Sequence, residues 1–321
     1  MDRETIPNFF IAGAPKCGST SLYHYLKQHP DIYMSPVKEP SYFAFEARVE
    51  NFVPEFQERI REQMLEVRRQ LERGSSETRN QGLVENWTDY LRLFEGVRGE
   101  RAVGEASVSY LWSKTAAREI AKVNPAAKIV LVLRDPAERA FSQYLHYLSD
   151  GHAAHTFREH LARTGARTSG REGAMGPYYP FLEFGMYAEQ VERFRAYFPA
   201  DQVRVWLYED TIAAPEGFLR EVFGFLGVDA GFVPDTSKRH YAMEIPKAVG
   251  VTQALRKLGL MRMLRDIMPQ GLRPGLKRLV YRRPGTVMLS AEDRRWLVQY
   301  YRKDVERLEG VLGRDLAGWM R

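Results

Sequence analysis

An apolar run, Asn8 to Ala12, closes on the turn GAPKCGSTSL (residues 13 to 22) and passes directly into a segment of helical spacing. A strand that feeds a helix through a glycine turn opens a βαβ unit, and such units commit a chain to a parallel sheet with helices on its faces. The spacing predicts a strand at Phe9 to Ala12, a helix from about Ser19 to Gln28 and a second strand at Ile32 to Ser35. The continuous apolar run Ile129 to Leu133 has the character of a strand buried on both faces, and a helix follows from about Pro136 to Leu148. Val203 to Leu207 is a further strand, between helical stretches marked by Tyr187, Val191, Phe194 and Tyr197 before it and Phe218, Val222 and Phe225 after it. The expected fold class is α/β, a central, mostly parallel sheet flanked by helices with ligands at the carboxyl ends of the strands.

Three segments depart from this alternation. Residues 50 to 82 are highly charged and then lose periodicity, reading as an exposed helix and a mobile loop. Residues 161 to 180, LARTGARTSGREGAMGPYYP, form a candidate lid or substrate loop, with a solvated linker as the plainer reading. Residues 251 to 285 hold nine Lys or Arg against one acid, Asp266, with Leu and Met interleaved. That basic region suits an anionic lipid, glycolipid or polyanionic glycan surface, or else a helical pair with a solvated face. With 321 residues the whole chain, 1–321, is expected to form one domain with these additions.

The glycine turn itself points to an anion. Gly13 and Gly18 let backbone amides approach closely, a helix starting at Ser19 adds its positive end, and Ser19, Thr20 and Ser21 add hydroxyl donors. A nucleotide-triphosphatase loop places lysine immediately after its second glycine, whereas here Ser19 stands there and Lys16 lies within the turn. From that position an ammonium can sit beside a bridging oxygen. Cys17, the only cysteine, excludes an intramolecular disulfide and reads as a small residue in a tight loop, with its thiol open to influence from Lys16.

In LRDPAERAFSQYLHYL (residues 133 to 148), Arg134 lies just past a strand and Ser142 two turns into the next helix. Together they can converge on a second phosphate, the guanidinium as a bidentate clamp. Arg139 has Asp135 and Glu138 as nearby acids to pair with.

With these two stretches in order, the sequence resembles the P-loop sulfotransferases that use 3′-phosphoadenylyl sulfate (PAPS), in particular bacterial members and the carbohydrate enzymes related to heparan sulfate modification. FIAGAPKCGSTSLYHYLKQHP resembles their 5′-phosphosulfate loop and VLVLRDPAERAFSQYLHYL their 3′-phosphate motif. VKEPSYF, GEASVSYLW, FPADQVRVWLYED and FLREVFGFLGVDAGFVP extend the likeness over most of residues 8 to 240. The resemblance implies a sulfotransferase-like P-loop fold, PAPS as donor with 3′-phosphoadenosine 5′-phosphate (PAP) as product, and no metal. It implies that Lys16 stabilises charge on the bridging oxygen, that residues 16 to 21 (Lys16, Cys17, Gly18, Ser19, Thr20, Ser21) cradle the 5′ group, and that Arg134 and Ser142 read the 3′-phosphate. It also makes Lys238 and Arg239 candidates for a basic loop closing over the donor.

Transfer to a hydroxyl requires a base. In the carbohydrate branch it is a glutamate, and the matching residue is Glu39 in VKEPSYF, which Pro40 biases away from helical geometry. His24 and His146 are weaker candidates, since the cytosolic branch uses a histidine. Glu105, placed just after a strand, is a candidate to orient Lys16 or an acceptor hydroxyl, and Ser107 and Tyr110 are candidates to line the acceptor site; each could instead support the fold.

Charge and composition bound the partners. The 47 Lys and Arg against 41 Asp and Glu give +6, which suits an anionic ligand and calls for no nucleic-acid partner. No signal peptide or membrane span is visible, so a cytoplasmic protein is expected, with peripheral membrane contact through the basic region as a further reading. The expected acceptor is a small-molecule, glycan or glycolipid hydroxyl. The rival readings are a P-loop kinase or nucleotide triphosphatase, which needs its lysine after Gly18, and a noncatalytic glycan- or membrane-binding protein using the basic region alone.

Overall fold

The computed structural model describes residues 5–153, 155–168, 174–237, 245–246, 281–282 and 287–321. The expected sheet is present, and every pairing in it is parallel. Strands β1 (Phe9–Gly13), β2 (Ile32–Met34), β3 (Ala102–Ala106), β4 (Lys128–Leu133) and β5 (Val203–Leu207) lie in the order β2-β3-β1-β4-β5. The helices are α1 (Ser19–Leu26), α2 (Pro54–Glu72), α3 (Trp87–Arg92), α4 (Ser109–Trp112), α5 (Ala116–Val123), α6 (Pro136–Asp150), α7 (Phe157–Thr168), α8 (Tyr187–Arg195), α9 (Tyr208–Ala213), α10 (Pro215–Leu226) and α11 (Ala291–Leu312).

Apolar runs select the central positions. Every residue of β1 is buried, as is all of β4 after Lys128, because helices cover both faces of a parallel sheet. Fully burying a ring such as Phe9 or Phe10 contributes about 2–3 kcal/mol each. β3, expected to end before Glu105, carries a glycine and an acid in its sequence, AVGEA. Gly104 is required there because a Cβ would lie 2.4 Å from the Phe9 ring on the neighbouring strand. Glu105, expected just beyond a strand, lies inside this one.

α11 closes the other side of the molecule. Ser290 Oγ accepts from Asp293 N at its start, and Leu297, Tyr301, Val305 and Leu308 are buried along it. Asp304, on the same helix, accepts from Tyr187 N at 2.7 Å and from Ala188 N, satisfying the first amides of α8.

The segments that broke the pattern are tied into the fold. α2 buries Val67 and Leu71, and the chain after it is held by backbone bonds rather than hanging free. Lys38 N donates to Arg79 O at 2.8 Å, Arg79 N to Pro36 O at 2.9 Å and Val84 N to Pro40 O at 2.9 Å. Of the candidate lid, residues 161 to 168 complete α7, and Met175 bridges to Phe52 ahead of α2, exchanging backbone bonds with Asn51 and Val53. The basic stretch 251 to 285 lies outside the described residues apart from Tyr281–Arg282, which pairs antiparallel with Ile245–Pro246.

Candidate active site

The carboxyl ends of the strands bring the separate motifs to one crevice. After β1, residues 14 to 18 turn into α1; Gly18 takes φ 84° at the N-cap, a left-handed conformation that a Cβ disfavours. No side chain caps α1 and its first turn holds no acid, so its positive end carries no built-in anion. Lys16, Gly18, Ser19, Thr20 and Ser21 from this turn line a cavity of about 870 Å³ together with Arg134 and Ser142. The structure thus brings Lys16, Gly18 and the three hydroxyl residues together with Arg134 and Ser142.

Arg134 lies between the end of β4 and α6, and Ser142 lies on α6, whose N-terminus is built for accuracy. Asp135 Oδ1 accepts from Ala137 N at 2.8 Å and from Glu138 N, and Pro136 occupies the first turn. Ser142, His146 and Asp150 follow at four-residue spacing, one stripe of the helix, and all three line the cavity. Arg134 sits 3.5 Å from Glu138 and its guanidinium lies 5.0 Å from the Tyr208 ring centre. The same ring packs against Gly18, where a Cβ would approach to 3.1 Å. Tyr208 therefore stands between the glycine turn and the arginine. Sequence reasoning did not single it out, although its place at the end of β5 was the signal to follow.

Lys16 and Glu39 meet in this crevice. Both have left-handed backbone, φ 66° and 64°, as does Ser41 at 54°, and such conformations in non-glycine residues cluster at functional sites. Pro40 does keep Glu39 out of a helix, but into a left-handed bend rather than an extended one. Burial pushes the Lys16 ammonium down to about 8, opposed by the charges of Glu39 and then Asp150. The Glu39 carboxylate accepts from Lys38 Nζ at 2.6 Å.

Glu39, His146 and Asp150 also line a second cavity of about 320 Å³ whose walls are largely apolar. His146 lies 3.5 Å from Asp150, and burial followed by the Lys16 charge holds its imidazole below the ordinary range. His24 lines neither cavity.

Several sequence expectations need correction. Glu105, Ser107 and Tyr110 are wholly buried and line neither cavity. Glu105 accepts from Ser107 Oγ at 2.7 Å, from Tyr90 at 3.3 Å and from the Tyr110 hydroxyl. Ser107 Oγ in turn accepts from Ser41 N at 2.9 Å, while Glu39 N donates to Ala106 O at 2.8 Å. Glu105 therefore anchors the bend that carries Glu39. The Cys17 side chain packs in the core, and burial pushes its thiol up to about 12, against the expected influence of Lys16. Arg139 pairs with neither Asp135 nor Glu138: it is buried and donates to Gln143 and to Phe181 O at 2.6 Å, while Arg294 takes Asp135. Lys238 and Arg239 lie outside the described residues.

A parallel α/β sheet with a glycine turn at one strand end and an arginine at the next defines a P-loop protein with a crevice for a phosphorylated nucleotide. Residues 7–232 match the model of the sulfotransferase family, and the chain belongs to that family. It is similar to a sulfotransferase from Alicyclobacillus acidocaldarius of known crystal structure, with a TM-score of 0.71 and 32% identity over 99% of this chain and 100% of that one. Among curated relatives it is 25% identical to Mus musculus carbohydrate sulfotransferase 15, covering 70% of this chain and 44% of the relative. It is 28% identical to the Homo sapiens bifunctional heparan sulfate N-deacetylase/N-sulfotransferase 3, covering 70% of this chain and 23% of the relative. The chain thus spans less than half the length of these curated relatives.

Proposed function

We propose that the protein transfers a sulfuryl group from PAPS to an acceptor hydroxyl, with Glu39 as the base and Lys16 as the electrophilic partner. The observation that carries the reading is the position of Glu39: it lines both the large polar cavity, which holds Lys16, Arg134 and Ser142, and the smaller apolar one. A donor in the first and an acceptor in the second would meet at its carboxylate.

The residues of the chain suit each step. The turn at residues 16 to 21 and the start of α1 offer amides, hydroxyls and one ammonium to the 5′-phosphosulfate, and Arg134 with Ser142 offers a second anion site for the 3′-phosphate. Glu39 takes the proton of the acceptor hydroxyl as its oxygen bonds to sulfur. The bond from sulfur to the bridging oxygen breaks, and Lys16 stabilises the charge left on the phosphate of PAP. A carbohydrate or glycolipid hydroxyl is the proposed acceptor, supported by the names of the curated relatives.

A second reading of the base is favoured by one observation: His146 lines the same two cavities, and burial lowers the pKa of its imidazole. Calorimetric titration with PAP, and with AMP as control, tests the donor site. A strong preference for PAP is expected, and equal affinities would overturn the proposal.

A further inference from the structure

The smaller cavity is walled in part by the two segments that the alternating pattern of strand and helix does not account for. Phe52, Phe56 and Ile60, spaced four residues apart into α2, form one side, and Met175, Tyr179 and Phe184 form the other. Backbone bonds from Val53 N to Met175 O at 2.9 Å and from Met175 N to Asn51 O at 2.6 Å pin the two sides together. Val67 and Leu71 continue the α2 stripe into the core, so the helix is anchored at one end and presents apolar side chains to the cavity at the other.

Charge sharpens the picture. Arg59 is the only Lys or Arg lining this cavity among the described residues, and its Nη1 is 3.2 Å from His152 Nε2. Two acids, Glu39 and Asp150, line it as well. A polyanionic glycan needs clustered cations to offset its charge, and among the described residues these walls carry one cation, Arg59, against the two acids. Walls that are largely apolar, with Glu39 and His146 among their polar groups, instead suit a ligand with an apolar body and a reacting polar group.

We infer that the acceptor is an uncharged hydroxyl compound with an aryl or alkyl body, of the glycolipid or alkyl-glycoside type, whose apolar part fills this cavity and whose hydroxyl reaches Glu39. The inference rests on the proposed donor site and narrows the acceptor class. Glu39 and His146 both line the cavity, whose volume of about 320 Å³ has room for one ring or a short chain. Phe56 packs on His152 with ring centres 4.9 Å apart and forms part of the apolar wall.

The test is calorimetric binding to the PAP-loaded protein of phenyl, hexyl and methyl β-D-glucosides and of an N-sulfated heparosan oligosaccharide. The phenyl or hexyl glucoside is expected to bind about tenfold tighter than the methyl glucoside, because only those bodies fill the apolar walls. Phe56→Ala should remove most of that preference with PAP affinity unchanged, and Ile60→Gln gives a second variant should Phe56→Ala fail to fold. Tighter binding of the heparosan oligosaccharide, equal binding of all three glucosides, or binding of none would overturn the inference while leaving the donor site standing. Failure of PAP itself to bind would instead overturn the donor reading, and the acceptor inference with it.

Discussion

Lys38 Nζ lies 2.6 Å from Glu39 Oε1, although the lysine side chain is only 2% exposed and the glutamate 33%. A buried cation thus holds the carboxylate at the crevice edge, on a bend with φ 64° at Glu39 itself. Glu39→Gln keeps the shape of the side chain and removes its ability to take a proton. Turnover is expected to fall about 10²- to 10⁴-fold with PAP affinity unchanged, measured by PAP release and calorimetry. Wild-type turnover in this variant would exclude Glu39 as the base.

Lys16 ties donor binding to pH. Burial holds its ammonium at about 8 in the ligand-free protein, so above that pH PAP binding must bring a proton with it. Affinity for PAP is therefore expected to fall by about thirtyfold between about pH 7 and about pH 9.5. Lys16→Met should bind more weakly at neutral pH, turn over about 10²- to 10³-fold more slowly, and lose this dependence. An equal alkaline loss in the variant would assign the titration to another group.

Arg134 approaches the crevice beside Tyr208, with Glu138 3.5 Å away to hold its guanidinium. Arg134→Ala removes the clamp for a second phosphate and leaves the glycine turn intact. Its main effect is expected on PAP, with affinity falling about 10- to 100-fold while AMP affinity stays near wild type. Parallel losses for both nucleotides would place Arg134 at the 5′ end instead.

His146 separates the two readings of the base. With Glu39 taking the proton, His146→Ala should retain turnover within about tenfold of wild type, with any loss falling mainly on the acceptor KM. A drop of about 10²- to 10⁴-fold in kcat, with Glu39→Gln largely active, would transfer the role to the imidazole.

The crevice was legible because its parts are local. A glycine turn, a strand-end arginine and a serine two turns later each sit on one regular element, and parallel strands align their carboxyl ends. What periodicity could not supply was long-range. That β3 runs through Glu105 was not legible, because Gly104 makes room for Phe9 and Glu105 finds its partners at residues 90, 107 and 110. The charged stretch before residue 82 reads as an exposed helix and concealed a wall: only the bridge of Phe52 to Met175 and the cavity lining show what Phe56 and Ile60 face. Tyr208 was missed because its function depends on packing against a glycine 190 residues earlier in the chain.

Glu105 links the interior to stability. Burial pushes its carboxyl up to about 7 from an ordinary 4.5, with the hydrogen bonds from Tyr110 and Ser107 acting in the opposite direction. The folded state thus holds a proton that the unfolded chain releases between those values. The associated stability is fully present below about 4.5 and is lost as pH rises through about 7. A shift of that size corresponds to about 3 kcal/mol over the window. Asp304, also raised by burial to about 6, adds to the same trend. Glu105→Gln resembles the protonated acid, so its stability should change less between about pH 5 and about pH 8 than that of the wild type, by urea denaturation at both values. Because Asp304 is present in both proteins, the difference between the two slopes isolates Glu105. Identical slopes would mean that the tyrosines and Ser107 hold this carboxylate ionised throughout.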